Sequence, residues 1–293
     1  LSDCDRDVLN RFILERTNVR GELVHLDSSW QAVLERRQYP LAVRDLLGQA
    51  MAAAALLSTT IKFRGSLTLQ INGNGPVSML VVQVKADKSL RGLAHWSEAP
   101  TTGTFADLIG NARLVITIDP GEGLDRYQGI VELENEPSLA IALTDYFEMS
   151  EQLPTRLWLV ASEERVGGML LQALPRKTED DDAWDRSLHL GETITDEELL
   201  QLGHRDILHR LFHEEDVRLF KSEPVSFRCS CSRERIEAML RGLGYAEVQD
   251  ILREEGRVAV DCEFCGHHYE FDHVDAEQIF AAIDQPSVPP TRH

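Results

Sequence analysis

Nothing in the sequence approaches the run of about 20 apolar residues needed to cross a bilayer. The richest stretch, Leu46 to Leu57, is short and alanine-heavy, and reads as a buried helix. The opening residues, LSDCDRDVLN, lack a basic region followed by an apolar one, so they do not resemble a secretory signal, and a cytoplasmic location is expected. Basic residues are scarce: 30 against 49 acids, a formal net charge of −19. Such a surface repels phosphate backbones, which argues against nucleic acid as a partner; with no spanning run, no membrane partner is expected either. It suits a protein that stays soluble while carrying something sticky, although many cytosolic proteins are simply acidic. No G-x-S-x-G elbow, H-E-x-x-H helix, dinucleotide fingerprint or Walker-type phosphate loop is present, and no enzymatic activity is expected.

What is present is an ordinary globular composition, 43% hydrophobic and 27% charged. The 293 residues suffice for a main domain with its own core and one or two smaller modules. Residues 5–15 carry Val8, Phe12 and Leu14 among charges and read as an amphipathic helix. Residues 41–61, just after Pro40, read as a longer, more buried one. The period then changes. SLTLQI, the turn NGNGP and VSMLVVQV form an expected hairpin, with Asn and Gly supplying positive φ in the turn. RGLAHW is a third strand, and RLVITID with RYQGIVEL a second hairpin. SLAIALTDYFEMSEQL has helical spacing and stops before Pro154, after which TRLWLVA and GGMLLQAL return to strand. The fold class is therefore α+β, with residues 1–175 as an antiparallel sheet carrying packed helices.

Composition shifts after Leu174. From Arg176 to Lys221 there are thirteen acids and seven bases, a net charge of −6. Short apolar helical patterns persist there, at Leu199, Leu200 and Leu202, then at Ile207, Leu208, Leu211 and Phe212. Those side chains need a surface to cover. The charge density and the glycines at 191 and 203 make each helix weak alone. Residues 176–226 are thus expected as an acidic, helical, metastable linker, folded only while docked. An ordinary connector in a rigid protein is the plainer alternative. Residues 227–284 follow as a third module, with a strand-like VSFRC, two helices, a short hairpin through CEFCGHHYEF and a final helix from about Ala276. The tail, 285–293, is expected to be disordered.

Five cysteines are present. Cys4 stands alone and gets no role. The others form C-x-C at Cys229 and Cys231 and C-x-x-C at Cys262 and Cys265, thirty residues apart. In a reducing compartment such pairs indicate metal or redox chemistry before structural disulfides. Two short-spaced pairs supply the four sulfurs of a tetrahedral zinc site, and one Zn²⁺ is the expected cofactor. Gly266 allows the tight knuckle after the second pair, and Ser232 is a helix cap beside the first. Arg228, Arg233 and Arg235 are positioned to offset thiolate charge. His267, His268 and His273 are alternative ligands, less suited while four cysteines are available. The plainer reading is a static staple for a module too small to build a large core; the site's physics also permits a switch, because oxidation removes the donors.

With those pairs on the page, the chain resembles the heat shock protein 33 family of redox-regulated holdase chaperones. The resemblance rests on C-S-C-S-R-E-R at 229–235 and C-E-F-C-G at 262–266. It also rests on R-Y-Q-G-I-V at 126–131, S-E-Q-L-P-T-R at 150–156 and G-G-M-L-L-Q at 167–172. It implies that Cys229, Cys231, Cys262 and Cys265 ligate zinc in an inactive reduced form. It further implies disulfides Cys229–Cys231 and Cys262–Cys265 on oxidation, loss of zinc, disorder in the linker, and ATP-independent binding of unfolding client proteins, often by a homodimer. Client contact is expected on the large domain's apolar sheet face and at Leu208, Leu211 and Phe212. Two other classes stay open: a zinc-ribbon nucleic-acid-binding protein with a static structural zinc, and a thiol oxidoreductase using C-x-x-C.

Overall fold

A computed structural model of the chain describes residues 6–61, 63–97, 103–121, 123–175 and 182–281. Cys4 and the tail 285–293 lie outside the described residues. The chain forms two compact units, Leu1–Arg228 and Cys229–His293.

The first unit begins with strands β1 (Val8–Leu14) and β2 (Val19–Leu26), a short helix α1 (Ser28–Leu34) and the helix α2 (Leu41–Thr60). Then come β3 (Ser66–Gly73), β4 (Val77–Lys85), β5 (Ser89–Trp96), α3 (Phe105–Ile109), β6 (Ala112–Asp119) and β7 (Tyr127–Leu133). Helix α4 (Leu139–Tyr146) runs into a π-helical turn, Phe147–Glu151, before β8 (Thr155–Ala161) and β9 (Val166–Ala173). Three short helices follow, α5 (Ala183–Gly191), α6 (Asp196–Gln201) and α7 (His204–Phe212). The unit closes with β10 (Val217–Leu219), β11 (Glu223–Pro224) and β12 (Ser226–Phe227).

The expected hairpins, the long helix after Pro40 and the α+β class are all present. Residues 5–15 are not a helix. Val8–Leu14 is β1, paired antiparallel with β2 along its whole length. Val8 and Phe12 stand four apart, as on a helix face, but the strand is buried on both sides, so its pattern does not alternate cleanly. The sheet expected for the large domain is in fact two. One runs β10-β1-β2-β9-β8, with β11 also on β1; the other runs β12-β5-β4-β3-β6-β7. Their edge strands β10, β11 and β12 come from 217–227, far along the chain, which no local pattern announces.

Helix α2 lies between the sheets, packing on β8, β9 and β2 of one and β4 and β5 of the other. By length and composition it could span a membrane, yet Ala50, Ala52, Ala53, Ala54 and Ala55 are all buried inside the protein. A helix apolar on every side wants a core, and alanine lets two sheets close on it. The first sheet is covered on its other face too. There Phe12, Leu14, Val19, Leu23, Val160, Met169 and Leu171 pack against Leu199, Ile207, Leu208, Leu211 and Phe212 of α6 and α7.

The G-G pair at 167–168 makes this double covering possible. A Cβ at Gly168 would meet Leu56 at 3.0 Å and Ala52 at 3.1 Å on the α2 side. A Cβ at Gly167 would stand 2.6 Å from the Leu199 carbonyl oxygen on the α6 side. Each glycine admits the backbone or side chains of a different layer.

Glu22 is on the α2 side of β2, only 2% exposed. Burial pushes its carboxyl up to about 7, against the lowering pull of Arg20, Thr59, Arg11 and Lys88. The folded state therefore favours the protonated acid. That contribution is complete below the ordinary value of 4.5 and is lost as pH rises through about 7. Glu22→Gln, neutral at every pH, should match the parent most closely near pH 5 and exceed it at pH 8. We expect the gap to widen by about 2–3 kcal/mol between those two conditions. Denaturant melts at both pH values check this, and a constant gap would remove Glu22 as the cause.

The second unit has α8 (Arg233–Leu243), α9 (Tyr245–Glu255), the hairpin β13 (Val258–Asp261) and β14 (His268–Phe271), and α10 (His273–Ala281). Its core is small: Leu240, Val248, Leu252, Val258, Tyr269, Phe271, Ala276 and Ile279, with Cys231 and Cys262 packed at its edge. Few units of this size hold together on such a core alone.

Candidate metal centre

Cys229 and Cys231 immediately precede α8. Helices α8 and α9 carry the chain out and back, so the β13–β14 turn returns Cys262 and Cys265 to the same point. The four sulfur atoms all lie within 4.8 Å of one another. Cys229 Sγ is 3.6 Å from Cys262 Sγ, and Cys231 Sγ is 3.3 Å from Cys265 Sγ. A tetrahedron of Zn–S bonds of about 2.3 Å has edges of about 3.8 Å, so the cluster needs only small adjustments to close on an ion. The donor set therefore fits: the cluster is positioned to ligate a metal ion, and four sulfurs are the set that a closed structural zinc site uses. Among the described residues this is the one such grouping of His, Cys, Asp and Glu.

Local structure holds the donors. The Cys262 backbone carbonyl accepts from the N–H of Cys265 (3.2 Å) and Gly266 (2.7 Å), and the Cys262 N–H donates to the His267 carbonyl at 2.9 Å. Gly266 sits at φ +67°, the left-handed conformation expected of the knuckle. Ser232 caps α8 by accepting from Arg235 N at 3.4 Å, which brings the positive end of that helix beside Cys231.

The thiols are not equivalent. Partial burial pushes Cys229 up, but hydrogen bonds from the Cys231 backbone and from the thiols of Cys231, Cys262 and Cys265 outweigh it and bring it to about 7. Burial raises Cys262 and Cys265 above the ordinary thiol value. One sulfur is thus ready to ionise near neutrality. Cys262 and Cys265, held up by burial, would give up their protons to a bound cation.

The arginines behave differently from expectation. Arg233 donates to Asp275 Oδ1 at 2.6 Å and to the Glu270 carbonyl at 3.1 Å, and stacks on Phe271. Arg235 donates to Ser230 Oγ, and Arg228 pairs with Asp87 in the first unit. Their charge is matched by carboxylates and a hydroxyl, so backbone N–H groups carry the stabilisation near sulfur. Of the alternative ligands, His268 is held between Asp261 and Glu270, and the hydrogen bond to Asp261 raises its pKa. His267 packs edge-on to Tyr269.

Leu208, Leu211 and Phe212 are buried in this form, packed on the first sheet. What sequence reading missed is their other half: the sheet face of Phe12, Leu23, Met169 and Leu171. No clean alternation announces it, because β2 is buried along nearly its whole length and β1 carries a helix-like spacing.

A two-sheet α+β unit, joined to a small unit built around a tetra-cysteine metal centre, defines the class of protein. The model of the family described as Hsp33 protein matches residues 7–272, and the chain belongs to that family. It is 50% identical over 289 residues to the 33 kDa chaperonin of Nitrosococcus oceani, covering 99% of each chain. It is 47% identical over 277 residues to that of Methylobacillus flagellatus, covering 94% of each. The crystal structure of the 33 kDa chaperonin from Thermotoga maritima shares the fold, with a TM-score of 0.80 at 23% identity, covering 95% of this chain and all of that one.

Proposed function

We propose that this chain is a redox-regulated, ATP-independent holdase chaperone of the Hsp33 type, and not an enzyme. The observation that carries the reading is the convergence of four cysteine sulfurs within 4.8 Å in a unit with so little core of its own. In the reduced form Cys229, Cys231, Cys262 and Cys265 would hold one Zn²⁺. Such sites contribute roughly 10–16 kcal/mol of apparent free energy, and that energy is folding energy.

Oxidation then removes the donors. Cys229 with Cys231, and Cys262 with Cys265, each lose two electrons as an S–S bond forms. One hydrogen peroxide per disulfide takes up the two electrons and the two thiol protons as its O–O bond breaks, giving two waters, so the two disulfides consume two peroxides. Without four thiolates the ion has no site, and residues 227–284 lose the energy that keeps them folded. Residues 176–226 are the segment that would come loose with them. Several features support that reading. Helix α6 has six residues, held at its start by the Thr195/Glu198 capping box. Neither α5 nor α7 has a side-chain cap. Helices this short do not persist in water without a surface to cover. Once α5–α7 lift away, the sheet face of Phe12, Leu23, Met169 and Leu171 and the released Leu208, Leu211 and Phe212 would bind unfolding proteins. A homodimeric active form and a cytoplasmic location are part of the proposal and rest on the family. The rival nucleic-acid reading finds little support, since Arg233 and Arg241 are engaged by Asp275 and Glu237.

The test adds peroxide at elevated temperature while zinc release, far-UV circular dichroism and suppression of citrate synthase aggregation are followed together. Zinc loss, loss of helicity and gain of suppression should coincide. Full suppression with zinc intact, or complete zinc loss with no suppression, would break the link.

A further inference from the structure

Two histidines at the seam between the first sheet and α7 take no part in the thiol chemistry. His25 stands on β2, on the face that α6 and α7 cover, and His204 is the first residue of α7. They are 0% and 1% exposed, with ring centroids 4.5 Å apart. His25 Nε2 donates to the Leu199 carbonyl of α6 at 2.8 Å. His204 Nδ1 donates to Asn10 Oδ1 on β1, also at 2.8 Å. The Asn10 amide donates to the Phe220 carbonyl, which turns its oxygen toward His204. Carbonyl oxygens only accept, so each ring already uses its neutral-state N–H in these bonds. Through one N–H each, the two rings tie α6 and α7 to strands β2 and β1.

The surroundings are hostile to a second proton. From β2 the group facing His204 is His25; from β1 it is the neutral Asn10. From the β8–β9 turn it is Arg165, which donates to Asp27 Oδ1 at 2.7 Å and to the Leu200 carbonyl at 2.8 Å. Asp27 is thus already engaged. On α7 itself Arg205 and Asp206 are exposed, and on α6 Glu198 is paired with Arg210. The positive end of the α7 dipole lies at His204 as well. Burial first, then His25 and Arg165, hold His204 well below its ordinary value.

We propose that His204, stacked on His25, is an acid-sensitive latch, so that a second proton on its ring undocks α6 and α7 from the sheet without oxidation of any cysteine. The sign follows from linkage. A histidine depressed in the docked state and ordinary when released favours release as pH falls below about 6.5. Undocking is a property of this seam alone. That it activates the protein rests on the function proposed above.

The experiment uses the full, reduced, zinc-loaded chain and measures amide-exchange protection of residues 196–212, corrected for intrinsic rates. One such histidine should raise the opening constant about tenfold between pH 7.5 and 5.5, with α2 unaffected. His204→Gln keeps a donor for Asn10 and should flatten the profile. Should that variant be undocked at every pH, Asn10→Asp decides instead. Its carboxylate stabilises the charged ring in place and should move the loss of protection to lower pH. A flat profile in the parent protein, a profile unchanged in both variants, or opening that appears only as zinc is lost overturns the latch. Aggregation suppression is scored in the same samples. Opening at pH 5.5 without suppression leaves the latch standing and counts against the chaperone reading. Suppression by oxidised protein with a flat exchange profile sinks the latch alone.

Discussion

With serine at Cys229, Cys231, Cys262 and Cys265, residues 229–281 should no longer fold as a unit. A serine hydroxyl does not ionise at neutral pH and is a poor zinc ligand, so the site loses all four donors at once. The loss, on the order of 10 kcal/mol, exceeds what eight buried apolar side chains in so small a unit can supply net of chain entropy. Bound zinc should fall from one equivalent to none, and exchange protection across α8, α9 and α10 should vanish. Peroxide should then change nothing further, and the variant should hold unfolding proteins without oxidation. A variant as ordered as the parent, and as indifferent to denatured protein, would mean that the metal does not hold this unit together.

The second large effect belongs to Phe212. Its side chain is fully buried, and its ring lies 6.0 Å from that of Phe12 across the boundary between α7 and the sheet. Truncating a buried phenylalanine costs about 3–5 kcal/mol. Here that cost falls on docking, because most of the core between the sheets and around α2 does not involve α7. Phe212→Ala should leave global unfolding of the first unit little changed while making residues 182–216 sensitive to limited proteolysis in the reduced, zinc-bound state. It should also suppress citrate synthase aggregation without oxidant. Leu211→Asp with Phe212→Asp asks the separate question of client contact. If the oxidised form of that variant bound clients as well as the parent, those two side chains would be only packing residues.

These two expectations differ in how they could have been reached. The cysteine cluster was readable from spacing alone, because metal geometry asks for specific residues at short intervals and the thirty residues between the pairs suffice for a return path. The docking surface was not. Leu208, Leu211 and Phe212 stood out as a helical face in need of cover, but nothing near them in the chain says what covers them. Their partners, Phe12, Leu23, Met169 and Leu171, come from β1, β2 and β9, and β1 resembled a helix because a strand buried on two sides has no clean alternation. The same reason hid the arginines' true partners. Arg233 answers to Asp275, 42 residues on, and not to the neighbouring thiols.

Residue order by itself determined the α+β class, the hairpins, the buried helix after Pro40 and the four cysteines that cluster, since each rests on periodicity or ligand chemistry that acts over a few positions. Only tertiary structure decided that two sheets enclose α2, that Gly167 and Gly168 open opposite faces of one of them, and that His25 meets His204. Those outcomes depend on which distant segments share a face, and side-chain patterning within a segment carries no information about its partner.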